Sequence, residues 1–317
     1  MNGFAMQQTD FPFVASIIDD ASTDGEQDVL LAYLQENFDT GDAETAYRRE
    51  TDEAVIYLAR HKTNSNCYFL LVLLKYNHYS IHKDKTHYYA EWLECADYVA
   101  HCEGDDYWER ADKLRVQART MDEHPDIGLC YSKARIVEGT EVTDKTVGWP
   151  VVKDLILGNV IPTASICLRT RFYLEYCHDP DVARLWTNWL MGDYPMSLYT
   201  SRFSRLYFQD EVTCAYRMLP ESASHFQDVE KEKRFFDNAY EIQTFFWTKF
   251  SPGDRALREQ IDTQYGLTLM RIFIKYGRIR EAQKVAWKMK VGKKVKLLSC
   301  FLAFPPVRSY CLKLVSQ

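Results

Sequence analysis

The stretch Phe13-Val14-Ala15-Ser16-Ile17-Ile18-Asp19-Asp20-Ala21-Ser22-Thr23-Asp24-Gly25-Glu26 decides the fold class. It opens as an apolar, β-branched run and changes at once to carboxylates, hydroxyls and a glycine, the pattern of a strand that ends in a turn. Thr23 and Glu26 stand at capping-box spacing, so a helix is expected over 27–36, just beyond the strand's carboxyl end. Strand, acidic turn and helix together form the repeating unit of an open α/β sheet. In such sheets ligands gather outside the carboxyl ends of the strands.

Working outward, 54–59 (AVIYLA) predicts a second strand, 67–75 a helix, and 97–102 (DYVAHC) a strand that stops at Glu103-Gly104-Asp105-Asp106. Beyond it, 113–122 reads as a helix closed by His124-Pro125, 128–134 as a strand, 154–157 as a short helix and 164–169 as a strand. A helix is expected to begin near Asp193, and 205–217 reads as two short strands around Asp210-Glu211. From about 228 apolar residues recur at helical spacing through Phe235, Phe236, Ala239, Tyr240, Leu257, Ile261 and Tyr265. The expected division is therefore an α/β domain over 1–225 and an all-helical region over 226–317. Pro252-Gly253 and Gly277 are the helical region's clearest breaks.

Composition narrows the function classes. At 317 residues, 46% of them hydrophobic, the chain can fill a substantial core. A formal charge of −6 argues against a general nucleic-acid binder, which needs clustered cations to displace counterions. Nine cysteines with no CxxC pair suggest neither a zinc site nor a disulfide framework. The opening MNGFAMQQTDFPF lacks the basic flank and apolar core of a signal peptide, and no apolar run reaches membrane-spanning length. A cytoplasmic protein is expected.

Three carboxylates in four residues, Glu103, Asp105 and Asp106, repel one another unless water or a cation compensates. A divalent metal, Mn2+ or Mg2+, is a natural compensator, because it takes one or two protein carboxylates and completes its shell with water and phosphate. A solvated acidic turn bent at Gly104 is the plainer alternative. Asp19 and Asp20 admit a plain reading too, as strand-end acids near a helix N-terminus. Two acidic turns at strand ends of one sheet would nevertheless face the same crevice.

Taken in order, IIDDASTDGEQ, CEGDDYWERADKL, GNVIPTASICLR, MGDYP and YRMLPESASH resemble the bacterial family 2 glycosyltransferases of the GT-A fold, over roughly residues 5–225. The resemblance implies a donor half over about 1–125 and an acceptor half over about 126–225. It implies a base-binding acid at Asp20 with Asp19 beside it, and a metal held chiefly by Asp105, with Glu103 and Asp106 adjacent. It further implies a general base at Asp193, for which helix capping is the competing reading. Asn64 and Asn66 fall where relatives approach the nucleotide. Arg217, Ser222, Ser224 and His225 fall near the donor diphosphate, although YRMLPESASH could equally be a polar connector. Trp108 is either a sugar-site wall or packing.

The implied activity is metal-dependent, inverting sugar transfer from a nucleotide-diphospho-sugar to a glycan or lipid-linked acceptor, as in bacterial surface polysaccharide synthesis. Nucleotidyl transfer and a non-catalytic scaffold are the alternatives. Family members open with a strand, a nucleotide-contacting loop and a helix, and 5–10 here matches only the end of that helix. Part of the donor pocket is thus expected to be missing. After Glu281 the chain has no acid but carries Lys284, Lys288, Lys290, Lys293, Lys294, Lys296, Arg308 and Lys313. Interleaved with Leu297, Leu298, Phe301 and Leu302, they suggest peripheral contact with the inner face of the cell membrane, or a solvated basic face.

Overall fold

The structure is a computed structural model that describes residues 1–151, 154–219, 226, 228–289, 291–302 and 304–315. It is mixed α/β, with two sheets flanked by helices and a helical C-terminal region. After a short helix α1 (Asn2–Ala5) come β1 (Phe13–Asp19), α2 (Glu26–Asn37), β2 (Phe38–Asp39), β3 (Tyr47–Glu50), β4 (Ala54–His61) and β5 (Cys67–Leu74). These strands form one sheet in the order β1-β5-β4-β2, with β3 also on β4.

Next come α3 (Ala90–Cys95), β6 (Tyr98–Ala100), β7 (Tyr107–Trp108), α4 (Lys113–Glu123), β8 (Ile127–Glu138), β9 (Glu141–Val147) and β10 (Cys167–Arg169). Helices α5 (Thr170–His178), α6 (Pro180–Leu185) and α7 (Asp193–Phe203) then lead into β11 (Arg205–Met218). The second sheet runs β6-β10-β8-β11-β7, with β9 also on β8. Helices α8 (Val229–Phe250), α9 (Arg255–Lys275), α10 (Ile279–Lys288), α11 (Lys293–Ser299) and α12 (Pro305–Val315) complete the chain. Among the described residues, no helix is long and apolar enough to cross a membrane.

Three local expectations are corrected. Residues 67–75 form strand β5, not a helix, lying parallel to β1 on one side and antiparallel to β4 on the other. Flanked on both edges and buried on nearly its whole length, CYFLLVLL shows no alternation, so periodicity could not distinguish it from a buried helix. Residues 205–217 form one strand whose register against β8 shifts between Gln209 and Val212, so Asp210-Glu211 is a bulge and not a break. Helix α2 is capped by Gly25 in the left-handed region (φ 90°), with Asp24 accepting from the Glu26 amide at 3.1 Å; the Thr23–Glu26 box does not form.

The boundary expected at 225/226 is crossed by a shared core. Ile242 and Phe246 of α8 and Leu257 and Ile261 of α9 pack in one cluster with Leu129 and Tyr131 of β8 and Tyr194 of α7. Asn238 seals the junction, accepting from the Leu190 amide at 2.7 Å and donating to Asn188 O at 3.0 Å. The rest of α9 packs with α10–α12 in a separate cluster around Met270 and Phe273.

The two sheets are joined through the N-terminal segment. The Gln7 side chain is wholly buried; it donates to Gly3 O at 3.0 Å and Arg110 O at 2.7 Å and accepts from the Leu114 amide at 3.1 Å. From the other side Asn64 donates to Ala5 O at 3.0 Å and Gln7 O at 2.8 Å, and Asn66 to Thr9 O at 2.7 Å. Gly3 lies flat on β7, where a Cβ would come within 2.7 Å of Trp108 O. Because every polar atom of the Gln7 amide is matched, Gln7→Ala leaves Gly3 O, Arg110 O and the Leu114 amide without this partner. It is expected to destabilise the fold by about 3 kcal/mol, read from urea unfolding.

Candidate functional site

The acidic turn lies between β6 and β7 and is closed by the Asp106 amide donating to Glu103 O at 3.1 Å. Two further contacts set its shape. The Asp106 carboxylate, only 8% exposed, accepts from the Arg217 amide at 2.9 Å. The Arg217 guanidinium donates to Asp105 O and, at 3.2 Å, to Gly104 O. Trp108 is packing: it is buried, and its Nε1 donates to Ala164 O at 2.9 Å, fastening the turn to the segment around Thr163. What remains open to the neighbouring cleft are the side chains of Glu103 and Asp105.

Asp193 opens α7 on the same cleft. It does not cap the helix, since no side-chain cap bond forms there. Instead its Oδ2 accepts from Thr163 Oγ1 at 2.9 Å and Asn159 Nδ2 at 3.2 Å. The Thr163 hydroxyl also acts on Glu103, as a minor influence that lowers its pKa. Withdrawal from bulk water inside the cleft, followed by the charges of Asp193, Asp106 and Asp105, pushes the Glu103 carboxyl up to about 7. Burial, with the Asp105 charge also raising it against the opposing Arg217 amide, pushes Asp106 up to about 6.

The opposite wall is the loop after β5, with Tyr79, His82, Lys83 and Lys85 facing the cleft. Asp20 builds this wall from behind. It accepts from the amides of His78 at 2.6 Å and Tyr79 at 2.9 Å and from Lys85 Nζ at 3.0 Å. Desolvation alone would raise its pKa, but these donors together outweigh burial and hold the carboxyl below its usual range. Ala21, at φ 60°, carries the chain away from Asp20 in a left-handed conformation unusual for a residue with a Cβ. Asp19 points into the protein, 4% exposed, and accepts from Ser22 N and Gln27 Nε2.

The structure therefore brings Glu103, Asp105 and Asp193 together on one cleft and sets Asp20 behind its far wall. Asn64 and Asn66 are not at the cleft: they precede β5, at the amino ends of β1 and β5, and their amides tie down the N-terminal segment. Arg217 clamps the acidic turn instead of lining the cleft. Ser222, Ser224 and His225 lie outside the described residues. Thr163, Asn159, Lys83 and Lys85 had no assigned role in the sequence. The lysines sit in a strand-end loop that went unrecognised once β5 was read as a helix.

The cleft measures about 1720 Å³, larger than a typical small-molecule pocket. Among the described residues, no lysine or arginine side chain pairs with the Glu103, Asp105 or Asp193 carboxylates. No group of three or more His, Cys, Asp or Glu closes around one point either, again among the described residues. Asp105 and Glu103 are the carboxylates of the turn that could hold a magnesium or manganese ion, whose remaining positions would go to water and phosphate. A structural zinc cage would need more ligands.

No family model matches the chain. Uncharacterized proteins of Mycobacterium tuberculosis and Mycobacterium bovis are 27% identical to it in an alignment of 177 positions that covers 53% of this chain and 42% of theirs. The match thus spans less than half the length of those curated relatives.

The role of Asp20 has a pH signature. A carboxyl held below its ordinary value of 3.8 stabilises the fold above that value, and the stabilisation is lost as pH falls through the depressed pKa. Asp20→Asn is expected to cost on the order of 1–2 kcal/mol at neutral pH. Melting curves of the two proteins should converge as pH drops below 3.8.

Proposed function

We propose that this protein is a metal-dependent, inverting glycosyltransferase of the GT-A fold that moves a sugar from a nucleotide-diphosphate donor to a hydroxyl acceptor. The observation that carries this reading is the convergence of Glu103, Asp105 and Asp193 on one large cleft, with the Thr163 hydroxyl holding Asp193 Oδ2 at 2.9 Å. The ordered motifs of the sequence, from the Asp19-Asp20 turn to YRMLPESASH, support the same reading.

Each group has a defined task. A divalent cation held by Asp105 and Glu103 would stabilise the negative charge of the departing diphosphate as a Lewis acid. Asp193, with Oδ2 fixed by Thr163 and Asn159, accepts the proton of the acceptor hydroxyl as that oxygen attacks the anomeric carbon. The bond from the anomeric carbon to the diphosphate oxygen breaks, its electron pair leaves with the diphosphate, and a single displacement inverts the centre. Arg217 and Trp108 position the acidic turn. Lys85, paired with Asp20, and Lys83, paired with Glu53, hold the far wall of the cleft.

Manganese with a nucleotide sugar is expected to raise the melting temperature, and Asp105→Ala to abolish the rise; a flat response to every donor would overturn the reading. Asp193→Asn should keep the donor-induced rise yet lower turnover by a factor on the order of 10²–10⁴. The released product separates this chemistry from nucleotidyl transfer: nucleoside diphosphate is expected, and pyrophosphate would refute it. Thr163→Val should lower kcat roughly tenfold to a hundredfold with KM nearly unchanged, because it loosens the base without removing it.

A further inference from the structure

We propose that the exposed face of α10–α12 is a docking surface for an anionic lipid bilayer. The cluster formed by the second half of α9 and α10–α12 already has a filled core, in which Ala282, Ala286, Val295, Leu302 and Cys311 pack against Met270 and Phe273. Large apolar side chains are nevertheless left outside it. Trp287 is 62% exposed, Leu297 65%, Phe301 49%, Phe304 61% and Tyr310 47%. They are neighbours through the chain and across it. Leu297 and Phe301 are four residues apart, the Phe304 amide donates to Phe301 O at 3.0 Å, and Lys294 Nζ donates to the Tyr310 hydroxyl at 2.8 Å. Trp287 stands one helical turn beyond Gln283, whose amide reaches Ser299 O at 3.0 Å.

The charge of this surface selects the partner. Residues 282–317 contain seven lysines, one arginine and no acid, although the whole chain has a formal charge of −6. An interface with another protein is normally depleted in lysine. At a bilayer the same residue is favoured, because its flexible stem lies along apolar surface while the ammonium stays among the phosphates. Aromatic and aliphatic side chains between lysines can then enter the headgroup and acyl boundary without any helix crossing it. This surface stands independently of the chemistry proposed for the cleft.

The test is sedimentation of the full chain with vesicles of phosphatidylcholine alone and with phosphatidylglycerol added. Binding is expected only to the anionic vesicles and should weaken with salt. The charge reversal Lys293→Glu with Lys294→Glu should lower partitioning on the order of tenfold or more. Phe301→Ser with Phe304→Ser should weaken binding even at low salt, with thermal melting confirming that the variants fold. No sedimentation with either vesicle, or equal binding by wild type and both variants, would overturn the proposal. So would light scattering that shows a dimer dissociated by the same variants, which would assign the face to a second copy.

Discussion

Gln7 is a joint between the two sheets, made by its side chain and its main chain together: the side-chain amide has no exposed surface, yet each of its polar atoms is matched by a main-chain group. Its bonds to Arg110 O and the Leu114 amide lie on the side of β7 and α4, while the Asn64 side chain, from the loop before β5, donates to the main-chain O of Gln7. Neither sheet supplies that link by strand pairing, since among the described residues β1 pairs only with β5 and β6 only with β10. A buried polar group matched on every side fixes geometry more sharply than apolar packing, because displacing it leaves several partners unsatisfied at once. The acidic turn and the loop bearing Lys83 and Lys85 belong to different sheets. Both line the same cleft.

The cleft itself is organised around electrostatic dissatisfaction. Protein chains normally neutralise buried or half-buried acids with arginine or lysine, and this one does so for Asp20, Glu53 and Asp112. At Asp193 it supplies a hydroxyl and an amide instead, and Glu103, withdrawn from water beside the other acids, has its carboxyl pushed up to about 7. Arg217, the cation best placed to help, donates to the turn's carbonyl oxygens and leaves the carboxylates uncompensated. That arrangement is costly for stability, and uncompensated acids in a cleft mark a candidate functional site.

Much of this was legible in the residues. The strand-to-turn change at Asp19-Asp20, the acidic turn at 103–106 and the helix beginning at Asp193 are signalled by abrupt local changes in residue type, and each appears where expected. The failures share a cause: where tertiary contacts set the conformation, local pattern carried too little information. Strand β5 is apolar on both faces because each face packs into its own core cluster, Phe69 and Leu71 on one side and Leu70 and Val72 on the other, which erased its period and concealed the loop that follows it. Asn64 and Asn66 look like loop ligands until the N-terminal segment they bind is in view. Thr163 is a plain hydroxyl in the sequence and becomes the hinge of the site only once β10 and α7 converge. The helical region was recognised by its period, but a period does not say which half of a helix shares another unit's core.

The parallel pairing of β8 with β11 has a kinetic consequence. Strands β4 and β5 are joined by a short connection and can zip together early. In contrast, β11 must wait for everything between Glu138 and Arg205 to be gathered in before its ladder with β8 can close. The Arg217 amide that shapes the acidic turn lies near the far end of that ladder. Assembly of the cleft is thereby tied to one of the slowest-forming contacts of the topology, so a nascent or partly frayed chain holds a competent-looking first sheet long before its acids are poised.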